Sequence, residues 1–195
     1  MLQYKLKEYQ IILASGSPRR QQFFKDLGLD FKIDIRSVEE VYPSNLEGAQ
    51  ISNYLAELKA SVFIDSLNTN DILITSDTVV WHKNKSLAKP TDAEEAYNML
   101  KTMSDDWHDV ITSVSFTTKN EQKTVYNTTK VKFKALNDDE IWYYVNNYKP
   151  YDKAGAYGIQ EWIGLIAIEE IKGSYANVVG LPTHLVYKTL LDIVS

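Results

Sequence analysis

The chain has 195 residues, 26 acidic against 21 basic side chains and no cysteine, for a formal net charge of −5. A chain of this length buries a core without staples, and the missing cysteine excludes disulfides, thiolate metal ligands and a thiol nucleophile. No global basic field exists to gather nucleic acid, so an anionic ligand has to be caught by a local cluster, helped by a divalent cation. The first ten residues lack the apolar core and cleavage site of a signal peptide, and no apolar run nears the roughly 20 residues that span a bilayer. The expectation is a cytoplasmic protein, without membrane or nucleic-acid partners.

In chain order, strands are predicted at 10–14, 31–36, 71–82, 108–118, 123–134 and 164–171, and helices at 18–27, 46–67, 92–103, 138–147 and 182–193. Ser17 suits an N-cap, Pro18 the first helical position and Gly28 a stop. Thr91-Asp92-Ala93-Glu94 reads as a capping box for the third helix, and Pro182 suits the first turn of the last. Lys119–Gln122 closes a predicted hairpin between 108–118 and 123–134, and Lys83-Asn84-Lys85 closes another. With no repeat or linker, residues 1–195 are expected to form one α/β domain, a mixed, twisted β-sheet with hairpins flanked by helices.

Several side chains break local rules. Arg19 and Arg20 lie in a first helical turn, where the macrodipole disfavours cations by about 0.3–1 kcal/mol each. Either they and the free N–H groups bind an anion, or they reach into water. Asp77 interrupts an apolar β run; a buried carboxylate needs a partner or a metal, and serves as a general base or a ligand unless it merely bonds local backbone. Lys59 falls in the apolar stripe of Leu55 and Val62, either as a functional cation out of place there or as a plain snorkelling lysine. Lys89 precedes the third helix, in reach of a phosphate or of solvent alone. Glu39 and Glu40 offer metal-binding oxygen or plain surface charge. Residues 152–160 form a glycine-punctuated turn ending in Gln160, whose amide both donates and accepts. The three histidines have no metal-ligand spacing.

Taken together, the segments Ala14–Arg20, Val38–Glu40, Leu55–Ala60, Ser76–Val80, Lys89-Pro90, Asp152–Gln160 and Gly173–Pro182 resemble the Maf family of nucleotide pyrophosphatases. They run in the family's order over 14–182. The resemblance implies a fold like that of inosine triphosphate pyrophosphatases and a homodimer. It implies metal-dependent hydrolysis (Mg, Mn or Co) of a nucleoside triphosphate to the monophosphate and pyrophosphate. By the same resemblance Asp77 is the proton acceptor; Ser15, Arg19, Arg20, Lys59 and Lys89 bind substrate; Glu39 and Asp77 hold the metal. Arg19, Thr78 and Gln160 match the specificity positions of the branch that acts on dTTP and UTP. Residues 161–163, Glu-Trp-Ile, replace the small residues usual after the glutamine. A nucleotide-binding regulator of septum formation and a house-cleaning pyrophosphatase for modified nucleotides are the competing readings.

Overall fold

The computed structural model describes residues 1–195. Its helices are α1 (Leu2–Lys5), α2 (Pro18–Asp26), α3 (Ala49–Ser61), α4 (Ala93–Met103), α5 (Asp138–Tyr148), α6 (Trp162–Ala167), α7 (Tyr175–Val179) and α8 (Thr183–Ile193). The strands are β1 (Gln10–Leu13), β2 (Phe31–Ile33), β3 (Asp71–His82), β4 (Lys85–Leu87), β5 (Trp107–Thr117), β6 (Gln122–Phe133) and β7 (Ile168–Lys172). They order as β2-β1-β3-β5-β6-β7, with β4 on β3. β1 is parallel to both β2 and β3, whereas β4 on β3 and β7 on β6 are antiparallel. The expected mixed α/β sheet with flanking helices is present. No helix is long and apolar enough to cross a membrane.

Residues gather into two compact units, and β3, β5 and β6 each contribute to both. The first holds Met1–Asp77, Thr112–Asn127 and Gly180–Ser195. There Ile72 and Ile74 share a core with Leu13, Phe24, Phe116, Val186 and Leu190, while Leu73, pointing the other way, packs with Ala60, Phe63 and Leu67. Strand alternation thus buries β3 on both faces. α2 ends in a Schellman motif: Gly28 N–H bonds Lys25 O at 2.9 Å and Leu29 N–H bonds Phe24 O at 3.1 Å, with Gly28 at φ 66°. Only glycine adopts that conformation without strain.

The second unit holds Thr78–Ile111 and Thr128–Val179. Its β3–β4 hairpin turns through Lys83 and Asn84 at φ 49° and 60°, matching the twist of the paired strands. His108, Phe133 and Tyr157 pack edge-to-face in its core, and Tyr97 stacks on Trp142 with ring centres 4.7 Å apart. Asn137 and Glu140 form a reciprocal capping box on α5.

Four sequence expectations need correction. The predicted strand 164–171 is a helix over its first half: Ile163 and Ala167 are buried one turn apart, Leu165 is exposed, and β7 begins only at Ile168. The predicted helix 46–67 is confined to Ala49–Ser61, because Gly48 at φ 49° breaks the chain before it and a separate 3-10 turn follows at Ile64–Ser66. The strand 31–36 pairs only to Ile33. Asp92, not Thr91, caps α4 by accepting from Glu95 N–H at 2.8 Å, while the Glu95 carboxylate turns back to Thr91.

Candidate functional site

β1 pairs with β3 from Gln10↔Asp71 to Leu13↔Ile74, and Ala14 N–H adds one more bond to Ile74 O at 3.0 Å. The chain then leaves the sheet through Ser15-Gly16-Ser17 and enters α2. Ser17 Oγ accepts from Arg20 N–H at 3.4 Å, with Pro18 behind it, as the sequence predicts. The turn is braced: buried Ser15 accepts from Ser17 N–H through its hydroxyl at 3.3 Å and from the Gln21 amide through its carbonyl at 3.1 Å. Arg19 is half-buried on the first turn.

Arg20 folds back into the unit. Its Nε donates to Gly180 O at 2.8 Å and its Nη1 to Ser76 O at 3.1 Å. Part of its fork therefore fixes the protein itself, a use that no sequence pattern announces. Burial pulls the Arg20 pKa below its ordinary value and Arg19 adds to the pull, while Asp77 and Glu40 oppose it.

Asp77 lies on the same face of β3 as Thr75, two residues earlier. Thr75 Oγ1 donates to Ala56 O of α3 at 2.6 Å, and one turn along that helix Lys59 Nζ reaches Asp77 Oδ1 at 2.7 Å. Lys59 also pairs with Glu40 Oε1 at 3.2 Å. The lysine in the apolar stripe is thus a half-buried cation between two carboxylates rather than a snorkelling side chain. Burial raises the Asp77 pKa above 3.8, against the opposing pull of Lys59 and Arg20. The result is a carboxylate of increased proton affinity next to two cations, the environment in which general bases are tuned.

Ser15, Arg19, Arg20, Lys59 and Asp77 all belong to the first unit. Glu39 is exposed there, and its neighbour Glu40, which the sequence pairs with it but the family resemblance leaves out of the ligand set, is the one that meets Lys59. Thr78, Lys89 and Gln160 belong to the second unit. Thr78 directly follows Asp77 on β3 and is half-buried. Lys89 is exposed just beyond β4, and its loop is held to the glycine turn by Gly155 N–H on Ala88 O at 3.2 Å. A side chain on Gly155 would press on Val80 at 2.9 Å, so this approach requires glycine. Gln160 is exposed on the turn that precedes α6, and Trp162 packs on Tyr143 with ring centres 4.7 Å apart.

The family profile described as Maf-like protein matches residues 10–193. The chain belongs to the Maf family. This Maf protein is 59% identical over its whole length, and the whole length of the relative, to a dTTP/UTP pyrophosphatase of Flavobacterium johnsoniae. A dTTP/UTP pyrophosphatase of Bacteroides fragilis is 45% identical over 96% of the chain and 98% of its own length. A nucleoside triphosphatase of Mycobacterium abscessus, named dITP/XTP pyrophosphatase, shares 14% identity with the Maf chain over 94% of it and 95% of its own length, at a TM-score of 0.48.

Proposed function

We propose that this Maf protein is an enzyme that hydrolyses nucleoside triphosphates, dTTP and UTP foremost, to the monophosphate and pyrophosphate. The observation that carries the reading is the end-to-end likeness to curated dTTP/UTP pyrophosphatases. The chemistry of the first unit supports it. Phosphoryl transfer asks chiefly for positioning and neutralisation of charge, and Arg19, Arg20 and Lys59 supply cations around the start of α2. Asp77 Oδ1 is held by Lys59, which leaves Oδ2 to take a proton from water as that water attacks the α-phosphorus. The bond from the α-phosphorus to the bridging oxygen breaks, and pyrophosphate departs with the electron pair. A raised proton affinity suits Asp77 to that role near neutral pH.

The residues fit a divalent cation. Two carboxylates, Asp77 and Glu40, already converge on one positive charge, the Lys59 ammonium. Mg²⁺ takes one or two protein carboxylates and completes its shell with phosphate oxygens and water. Asp77 with Glu39, the position matched by the family pattern, or its neighbour Glu40 would hold it. When bound, the metal polarises phosphate oxygens and neutralises their charge. By the same pattern Ser15 and Lys89 bind substrate, while Arg19, Thr78 and Gln160 select the base. Gln160 offers a donor and an acceptor to a pyrimidine edge, and a site built on such bonds rejects partners that leave them unmade. The active species is a homodimer in the cytoplasm.

The deciding experiment is pyrophosphate release from a nucleotide panel with Mg²⁺, Mn²⁺ or Co²⁺. dTTP and UTP are expected to be cleaved fastest. Tight binding without product would instead mark a nucleotide-sensing regulator, and faster cleavage of modified nucleotides a house-cleaning enzyme.

A further inference from the structure

Gln160 poses a physical problem. An exposed amide on a turn reads a base edge only if the turn is held still, yet no regular element contains it. The second unit supplies the restraint on both sides of the residue. Gly158 N–H donates to the Tyr144 hydroxyl at 3.0 Å, and that hydroxyl donates to Glu161 Oε2. The other carboxylate oxygen of Glu161 accepts from Lys153 Nζ at 3.1 Å, and the same ammonium reaches Asp152 Oδ1 at 2.7 Å. The turn closes on itself through Glu161 N–H to Gly158 O at 3.0 Å.

These groups are well covered. The Tyr144 ring is fully buried on the inner face of α5 with Ile141 and Val145, and the Lys153 side chain is only 9% exposed. A Cβ on Gly158 would stand 3.0 Å from Glu161 Cδ and 3.1 Å from Lys153 Cε, so the cage leaves little room for a side chain there. Glu161 belongs to the Glu-Trp-Ile stretch that departs from the family pattern, and the clamp is built around it.

We propose that Tyr144, Glu161 and Lys153 are positioning residues that hold the 158–161 turn, and with it Gln160, in the pose that selects the nucleobase. The proposal rests on Gln160 reading the base as in the functional reading above. None of the three residues needs to touch substrate; they act through the backbone on either side of Gln160.

The test compares Glu161→Ala, Glu161→Gln, Tyr144→Phe, Gln160→Ala and the Gln160→Ala/Glu161→Ala double variant, with UTP, dTTP and CTP as substrates. Glu161→Ala and Tyr144→Phe are each expected to raise KM for UTP about tenfold with kcat within about twofold, and to lower the UTP-over-CTP ratio of kcat/KM by a similar factor. Glu161→Gln, which still accepts from Tyr144, recovers most of that ratio. The double variant is no worse than Gln160→Ala alone, because both changes remove one function. Amide exchange over 157–165 provides a readout independent of turnover, and Tyr144→Phe, which keeps the buried ring, is expected to speed it by about tenfold or more. Unchanged selectivity in Glu161→Ala and Tyr144→Phe, losses that multiply in the double variant, or unchanged exchange in Tyr144→Phe would overturn the proposal. A Gln160→Ala enzyme with the wild-type UTP-over-CTP ratio overturns something else, the reading of Gln160 itself, and the selectivity half of the proposal falls with it; the exchange measurement still decides whether Tyr144 holds the turn.

Discussion

Two regions of this protein use the same device, a lysine shared by two carboxylates, for different ends. In the first unit Lys59 lies between Asp77 and Glu40; in the second Lys153 lies between Asp152 and Glu161. In both, one carboxylate is more covered than the other. What differs is the company. Asp77 has the Arg20 guanidinium nearby and a raised pKa, which suits the proton transfer proposed for it. Glu161 is closed off by a tyrosine hydroxyl that also takes a backbone N–H, so its charge is spent on geometry. The lesson is that a buried ion pair declares its role through its third partner.

The sharpest way to break this contrast is Asp77→Asn. The amide keeps the shape and loses the base, so pyrophosphate release is expected to fall by about 10²–10⁴-fold while thermal stability stays close to wild type. Near-full turnover would remove Asp77 from the chemistry and make both lysine clamps structural.

Acid separates the two regions next. Burial lowers the His108 pKa from 6.5 to about 3, so the folded protein keeps His108 neutral where the unfolded chain charges it. That contribution is complete above 6.5 and is lost as pH falls towards about 3, amounting to on the order of a few kcal/mol. Asp106, held below the usual carboxylate range by His82 and Lys83, loses its contribution in still stronger acid. Asp77 has the opposite sign. Its raised pKa favours the fold in acid, and that gain disappears as pH rises through its folded value. Exchange protection in the second unit is therefore expected to fall first on acidification. His108→Gln, which retains a partner for Tyr157, should flatten the stability profile between pH 6 and 4 in denaturant titrations.

A smaller effect sharpens the first region alone. The acidic limb of the pH–rate profile is expected above the ordinary carboxylate value of 3.8. Lys59→Met removes the ammonium that holds the Asp77 pKa down, so the limb should move further upwards, with KM raised about tenfold. A limb that stays in place would show that Lys59 does not tune Asp77.

Much of this site was legible because local chemistry was violated in plain view. A carboxylate in an apolar strand and a lysine on an apolar helix face each demanded a partner, and they turned out to partner one another. Ser17-Pro18 and Gly28 marked both ends of α2 because caps are local. Glu40 was not separable from Glu39, since residues 34–43 have no regular structure and hence no periodicity to assign a facing direction. Tyr144 and Glu161 are 17 residues apart with an irregular turn between, and nothing short of the folded chain joins them. The 162–167 helix was misread because its isoleucines favour strands. Gly164 held the clue: a Cβ there would lie 1.8 Å from Ile159 O, so the helix folds directly onto its own approach.

The bonds from Arg20 to Gly180 O and Ser76 O have a consequence for how the chain is handled by proteases. One side chain ties the start of α2 to the carbonyl that immediately precedes Leu181-Pro182 and the last helix. Any polyanion that settles Arg20 also fastens that distant stretch of backbone, although it touches none of it. Nucleotide should then slow trimming of the carboxyl terminus, and clipping near Gly180 should weaken the grip on phosphate before it harms the rest of the molecule.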